Sequence, residues 1–183
     1  MPATFERGPL EGLIIVRPTI FRDERGFFVE SYKKSEYQNA GINLEFVQDN
    51  HSFSVRGVIR GLHFQRPPFE QGKLVRVLKG RVLDVAVDIR SGSSTFGNYF
   101  SIELDESSGT MLYLPPGFAH GFLALTDDVH LMYKCTAEYN HKTEQGIVWN
   151  DPQIGIKWPV ADPIVSQKDR LLPRLSDSAV LME

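Results

Sequence analysis

One cysteine, Cys135, serves the whole 183-residue sequence, so no intrachain disulfide is available and nothing asks for an oxidising compartment. No stretch approaches the roughly 18 consecutive apolar residues that a membrane-spanning helix needs. The opening MPATFERGPL carries Glu6 and Arg7 where a secretory leader has its apolar stretch. A basic excess is also missing, with 20 Lys and Arg against 23 Asp and Glu and a net charge of −3. That balance argues against nucleic acid as a partner, although local Arg and Lys can still receive an anionic ligand. The expectation is a cytoplasmic protein with no membrane partner. The 42% hydrophobic and 23% charged content is ordinary, and residues 1–183 fit one domain with its own core.

What is present is the period of strands. Apolar or alternating runs recur at 12–17, 26–32, 44–49, 73–78, 81–89, 99–104, 111–114, 120–125 and 130–133. Turn formers separate them, among them Lys79-Gly80, Ser91-Gly92-Ser93 and Pro115-Pro116-Gly117. Only 33–40 and 167–172 read as short helices. Many short strands with regular turn signals predict an all-β sandwich or barrel with a few short peripheral helices.

Lys79-Gly80 reads as a two-residue hairpin turn. It would set Leu78 opposite Arg81, Val75 opposite Asp84 and Lys73 opposite Ala86. One face then carries Lys73, Val75, Val77, Asp84, Ala86 and Asp88, the other Leu74, Arg76, Leu78, Leu83, Val85 and Val87. Apolar residues on both faces mean cover on both sides. Lys73 and Asp84 are therefore expected in an enclosed space, where an unpaired lysine is costly.

Two segments have the spacing of cupin barrel motifs. Gly57 precedes His63 by five intervening residues, and six separate Lys73 from Gly80. Gly109, Pro115, Gly117 and His120 match the second motif position by position. In metal-binding cupins two His, a Glu and a later His hold the ion. Here the second His is Gln65 and the Glu position is Lys73. An ammonium in place of a carboxylate repels a cation, so neither metal nor cofactor is expected, and two imidazoles and a lysine remain as acid–base groups.

Within the cupins, the runs DERGFF (23–28), FVQDN (46–50), RGLHFQ (60–65), QGKLVR (71–76), PGFAHGF (116–122), YKCT (133–136), GIVWND (146–151) and GIKWP (155–159) resemble the dTDP-4-dehydrorhamnose 3,5-epimerase family, in order and over nearly the whole chain. The resemblance implies a cupin jelly-roll barrel acting on a dTDP-4-keto-6-deoxy sugar. Protons at C3 and C5 are both α to the ketone, so the reaction needs a base, an oxyanion partner and an acid on the opposite ring face. His63 suits the base, with Asp169 placed against it by resemblance. Lys73 is the cation for the C4 oxyanion and Tyr133 the acid, with His120 and Asp84 in support. The resemblance assigns Arg25, Glu30, Gln48, Asp49, Asn50, Arg60, Lys73, His120, Glu144 and Lys168 to substrate binding and Tyr139 to stacking on the base. It further implies a homodimer in which an N-terminal segment carrying Arg25, Phe28 and Glu30 completes the neighbour's site.

The same scaffold admits a mono-epimerase or a 3,4-ketoisomerase, with divergence most expected at Pro67-Pro68-Phe69. A non-catalytic nucleotide-sugar-binding cupin would have lost the base or the acid. Cys135, His51, His130 and His141 read as packing or surface residues, Trp149 and Trp158 as core anchors, and Asp88, Glu103 and Asp105 as solvated.

Overall fold

The computed structural model describes residues 3–177. Its strands are β1 (Thr4–Arg7), β2 (Ile14–Arg17), β3 (Ile20–Asp23), β4 (Gly26–Val29), β5 (Gln48–Ser54), β6 (Val58–Gln65), β7 (Lys73–Lys79), β8 (Arg81–Asp88), β9 (Tyr99–Asp105), β10 (Met111–Leu114), β11 (Phe118–Ala124), β12 (Val129–Cys135), β13 (Glu144–Gly146) and β14 (Ile164–Val165). Two short helices, α1 (Lys34–Asn39) and α2 (Gln167–Arg170), lie on the periphery. One sheet runs β1-β2-β10-β7-β12-β5 and the other β13-β6-β11-β8-β9, with β14 added in parallel to β6. The strand pattern predicts an all-β sandwich or barrel, and the topology is the jelly roll that the family resemblance implies.

Between the sheets, Val75, Val77, Val82, Ala86, Leu112, Phe122 and Leu131 join one buried cluster. The outer face of the first sheet buries Leu74, Met111 and Tyr113 against Tyr37 of α1 and Ile42. The outer face of the second buries Leu62, Val85 and Val87 beneath Ile147, Ile154 and Leu175. Both faces are covered, which is why these strands read as nearly continuous apolar runs.

The expected β7–β8 hairpin does not form. β7 pairs with β10 and β12, while β8 pairs with β11 and β9. Lys79-Gly80 is the corner at which the chain crosses from one sheet to the other. Face assignment survives the lost pairing, because side-chain alternation belongs to each strand and not to its partner. Lys73, Val75, Val77, Asp84 and Ala86 do point inward.

Asp88 is another correction. It is fully buried rather than solvated, accepting hydrogen bonds from the side chains of Arg90, Ser93 and Thr95 at 2.6–2.9 Å. Burial opposes its charge, but these donors outweigh it and hold the carboxyl well below the usual range. Trp149 and Trp158 pack against the cluster of Ile59, Leu123 and Val165, and the Trp158 indole donates to the Trp149 carbonyl at 2.8 Å.

The chain after β13 is tied down at Asp151, which is buried. Its Oδ1 accepts from the amides of Gln153 and Ile154, and its Oδ2 from the amide of Leu175 at 2.8 Å. Pro173 accepts from the Val148 amide, and Leu172 sits where a Cβ on Gly146 would be, 2.6 Å away. The segment carrying α2 is thereby pinned along β6.

Candidate active site

At one end of the barrel the apolar filling gives way to a cavity of about 580 Å³. Strands from both sheets wall it. β6 supplies Arg60, His63 and Gln65, β11 supplies His120, β7 supplies Lys73, β12 supplies Tyr133, and β5 supplies Gln48, Asn50 and Ser52. His63 and Tyr133 stand on opposed sheets and face one space.

His63 Nε2 lies 2.7 Å from Asp169 Oδ1. The other oxygen, Oδ2, accepts from the Gly61 amide at 3.2 Å. At Gly61 no side chain fits, because a Cβ would stand 2.6 Å from the Gly121 Cα. The Asp169 amide in turn bonds the Ser166 hydroxyl, which caps α2. Burial works against the Asp169 charge, but the bond to His63 wins and keeps the carboxyl below its ordinary range. With Asp169 ionised, the His63 Nε2–H is the donor and Nδ1 is left as the ring's basic nitrogen.

Lys73 is 7% exposed. Its ammonium donates to the His63 carbonyl at 3.3 Å and lies 6.0 Å from the centre of the Tyr133 ring. Burial pushes the Lys73 pKa down, opposed in part by the carboxylates of Asp84 and Glu144. Tyr133 is pushed up, again chiefly by burial, so its phenol keeps its proton at neutral pH. His120, directly opposite His63 across β6 and β11, bonds Asp84 Oδ1 at 2.8 Å and approaches the Tyr133 ring at 6.4 Å between centroids. Asp84 lies behind His120, fully buried, and its Oδ2 has no hydrogen-bond partner among the described residues.

The rim is a polar network. The Tyr139 hydroxyl donates to Glu144 at 2.8 Å, and Lys168 pairs with the same carboxylate at 2.7 Å. Gln48 accepts from the Tyr139 amide at 2.7 Å and donates to Asn50 at 3.0 Å. Arg60 donates to the Ser54 hydroxyl and the Phe53 carbonyl. The cavity thus holds an oriented imidazole, a buried cation, a protonated phenol and a rim of mixed charge. That set can remove a proton, stabilise an oxyanion and return a proton from the other side.

At the cupin metal positions, the donors present do not fit a divalent cation. Lys73 is cationic, and both ends of the Gln65 amide are bonded to backbone. Among the described residues no three His, Cys, Asp or Glu converge as a ligand set.

Residues 7–177 match the dTDP-4-dehydrorhamnose 3,5-epimerase family model. The chain belongs to this family. A dTDP-4-dehydrorhamnose 3,5-epimerase of Methanothermobacter thermautotrophicus is 47% identical over 181 residues, covering 97% of each chain. One from Shigella flexneri is 49% identical, covering 86% of this chain and 87% of that one. The dTDP-6-deoxy-D-glucose-3,5-epimerase of Legionella pneumophila Philadelphia 1, solved with dTDP-4-keto-L-rhamnose, superposes with a TM-score of 0.94 at 42% identity, covering 100% of this chain and 98% of that one.

Among the residues that the family resemblance assigned, the structure gathers His63, Lys73, His120, Tyr133, Asp169, Gln48, Asn50, Arg60, Tyr139, Glu144 and Lys168 on one cavity. It leaves Asp49 outside, since alternation along β5 turns that side chain to the opposite face, where it pairs with Lys134 at 2.9 Å. Arg25 and Glu30 also lie away from this cavity. Arg25 sits in the tip of the β3–β4 hairpin with its guanidinium on Asp23 at 2.6 Å. Polar wall residues without an earlier assignment include Ser52, Gln65 and Gln71, and apolar Phe122 and the segment Ile164–Ser166 join them. The period of two from Gln48 and Asn50 points to Ser52, and Gln71 lies in a quoted run. Nothing local marks 164–166, which reach the wall by parallel pairing to β6.

Proposed function

We propose that this chain acts as a single cupin-type epimerase domain that inverts C3 and C5 of dTDP-4-dehydro-6-deoxy-D-glucose, giving dTDP-4-dehydro-L-rhamnose without a cofactor. The observation that carries this reading is the pairing of an Asp169-oriented His63 on one sheet with a protonated Tyr133 on the other, and Lys73 between them. His63 takes the α-proton at Nδ1 while Nε2–H stays on Asp169. Lys73 meets the charge that develops on the C4 oxygen, and Tyr133 returns a proton to the opposite ring face. His120, backed by Asp84, holds the wall beside Tyr133. Arg60, Lys168, Gln48, Asn50, Glu144 and Tyr139 hold the nucleotide end.

A homodimer is supported by the β3–β4 hairpin. It stands apart from both sheets, with Phe21, Phe27 and Phe28 exposed at 43%, 59% and 60%. Single exposed apolar side chains are ordinary, but three aromatics on one hairpin suit a partner surface. There Arg25 and Glu30 would serve the neighbouring copy's cavity.

Tyr133→Phe tests the division of labour. Without the acid, the enolate is reprotonated from the side of removal. Product formation should fall on the order of 10²-fold, while solvent deuterium entering unconverted substrate falls much less. Equal loss of both would show that Tyr133 is not the acid.

Asp169→Asn probes the dyad. An amide can donate to Nε2 and so hold the proton on Nδ1, the tautomer that cannot act as base. The rate should drop about 10²- to 10⁴-fold, as expected when an orienting carboxylate is neutralised. The variant should also lose part of the acid limb of stability. Asp169 has a depressed folded pKa, so its contribution is present above the ordinary carboxylate value of about 4 and is lost as pH falls through the folded value. A melting curve against pH that is unchanged between pH 5 and 2 would contradict the dyad.

A further inference from the structure

Gln65 replaces a cupin metal ligand and carries none of the roles assigned above. It is 4% exposed and lines the cavity. Its side chain spends every group on backbone. Nε2 donates to the Phe69 carbonyl at 2.7 Å and to the Glu138 carbonyl at 3.1 Å, and Oε1 accepts from the Asn140 amide at 2.6 Å. Phe69 lies in one rim loop, residues 66–72, and Glu138 and Asn140 in the other, residues 136–143. A single amide therefore staples both lips of the cavity to β6.

The second lip carries Tyr139 and leads into Glu144, which lies directly opposite Gln65 in the β6–β13 pairing. Single hydrogen bonds run parallel to the staple. Gln71 donates to the Ala137 carbonyl at 2.8 Å, and the Gly72 amide donates to the Thr136 hydroxyl at 2.7 Å. The groups proposed for chemistry sit elsewhere. His63, Lys73, His120 and Tyr133 are all on strands paired on both sides, with a register shift in the β6–β11 ladder beside His63 and His120. The fold separates a reacting end carried on paired strands from a rim held by hydrogen bonds between loops, of which Gln65 makes three.

We infer that Gln65 is a positioning residue that fixes the two rim loops for the nucleotide end of the substrate, taking over as a hydrogen-bond staple the place of a metal ligand. Its chemistry is demanding, because two donors and one acceptor must leave one planar head. A neutral imidazole offers one of each, a carboxylate offers no donor, and an asparagine is a methylene too short. Glutamine alone meets the pattern. The inference rests on the epimerase reading, since the rim matters here only as the dTDP site.

Gln65→Leu and Gln65→Glu decide it, measured as purified full-length protein for dTDP binding and for kcat and KM on the 4-keto substrate. Both variants should bind dTDP at least about tenfold more weakly and show KM raised to match, with kcat and deuterium exchange at saturating substrate within about threefold of the parent. The parallel Gln71→Leu change should weaken dTDP binding less than either. Three results would overturn the inference: kcat falling with KM unchanged, which would place Gln65 in the chemistry; both parameters unchanged; or failure of both variants to fold, which would make it a determinant of the barrel. A parent protein that neither binds dTDP nor exchanges protons would sink the epimerase reading itself, whereas an active parent with indifferent variants sinks only the staple.

Discussion

His63→Ala eliminates deuterium uptake at both C3 and C5, with residual turnover at least on the order of 10³-fold below the parent, the range expected for loss of a positioned general base. The size of the effect follows from geometry. Asp169 is 4% exposed and bonded at 2.7 Å to His63, while Oδ2 takes the Gly61 amide, so the carboxylate has nowhere else to turn. The cavity wall holds one other imidazole, His120, and Asp84 ties its Nε2 down beside the Tyr133 ring. No neighbouring group therefore substitutes for the lost base. Exchange surviving at one carbon would assign that carbon to a different base and break the single-base scheme. Melting at neutral pH should fall as well, because the buried Asp169 carboxylate loses its His63 partner and keeps only the Gly61 amide.

Lys73→Met separates catalysis from stability in opposite directions. Without the ammonium the C4 oxyanion loses its cationic partner, and kcat should fall about 10²- to 10³-fold, as when one preorganised donor is removed from an oxyanion site. The same change should raise the melting temperature at neutral pH, because an ammonium drawn out of water is replaced by an apolar chain of similar length. The pH dependence gives the sign. Burial lowers the folded pKa of Lys73 below its unfolded value of about 10.4, so the unfolded chain binds more protons between the two values. Stability of the parent should therefore climb with pH across that window, and Lys73→Met should flatten the climb. A variant that is less stable, or a parent with no such climb, would mean that Lys73 is paired well enough for its burial to carry no penalty. Retained kcat would remove Lys73 from the chemistry altogether.

Much of the barrel is legible from period-two alternation. It places Lys73 and Asp84 on inward faces correctly, even though the turn chemistry at Lys79-Gly80 suggests the wrong strand partner. A Gly-containing corner between two sheets and a hairpin turn draw on the same residues, so local signals cannot separate them. Two of the strands that line the cavity are the ones that apolar patterning misses. β5 is expected at 44–49 but forms at Gln48–Ser54, and β6, Val58–Gln65, is absent from the apolar runs. Both turn polar residues inward, Gln48, Asn50 and Ser52 from one and Arg60, His63 and Gln65 from the other, because their inner face meets a cavity rather than a core. Where the inside is wet, the rule that apolar means inward reverses. The short β13 and β14 have no pattern to read, yet they deliver Glu144 and the approach to Asp169.

Motif spacing makes His63, Lys73 and His120 visible, while Tyr133, the placement of Asp169 against His63 and the rim residues come from the family resemblance. That His63 meets Asp169 across 106 residues is a property of the segment pinned along β6, and no local signal announces it. Gln65 is the converse case. As a departure from the cupin pattern it reads only as a missing ligand, and its use of the whole amide emerges with the loops in place.

The most direct test of the central claim is a proton inventory: dTDP-4-keto-6-deoxyglucose with the parent protein in D₂O, followed at C3 and C5 by NMR. The expected result is deuterium at both carbons of an L-lyxo product. Deuterium at one carbon only, or at neither, would contradict the double epimerisation proposed for this cavity.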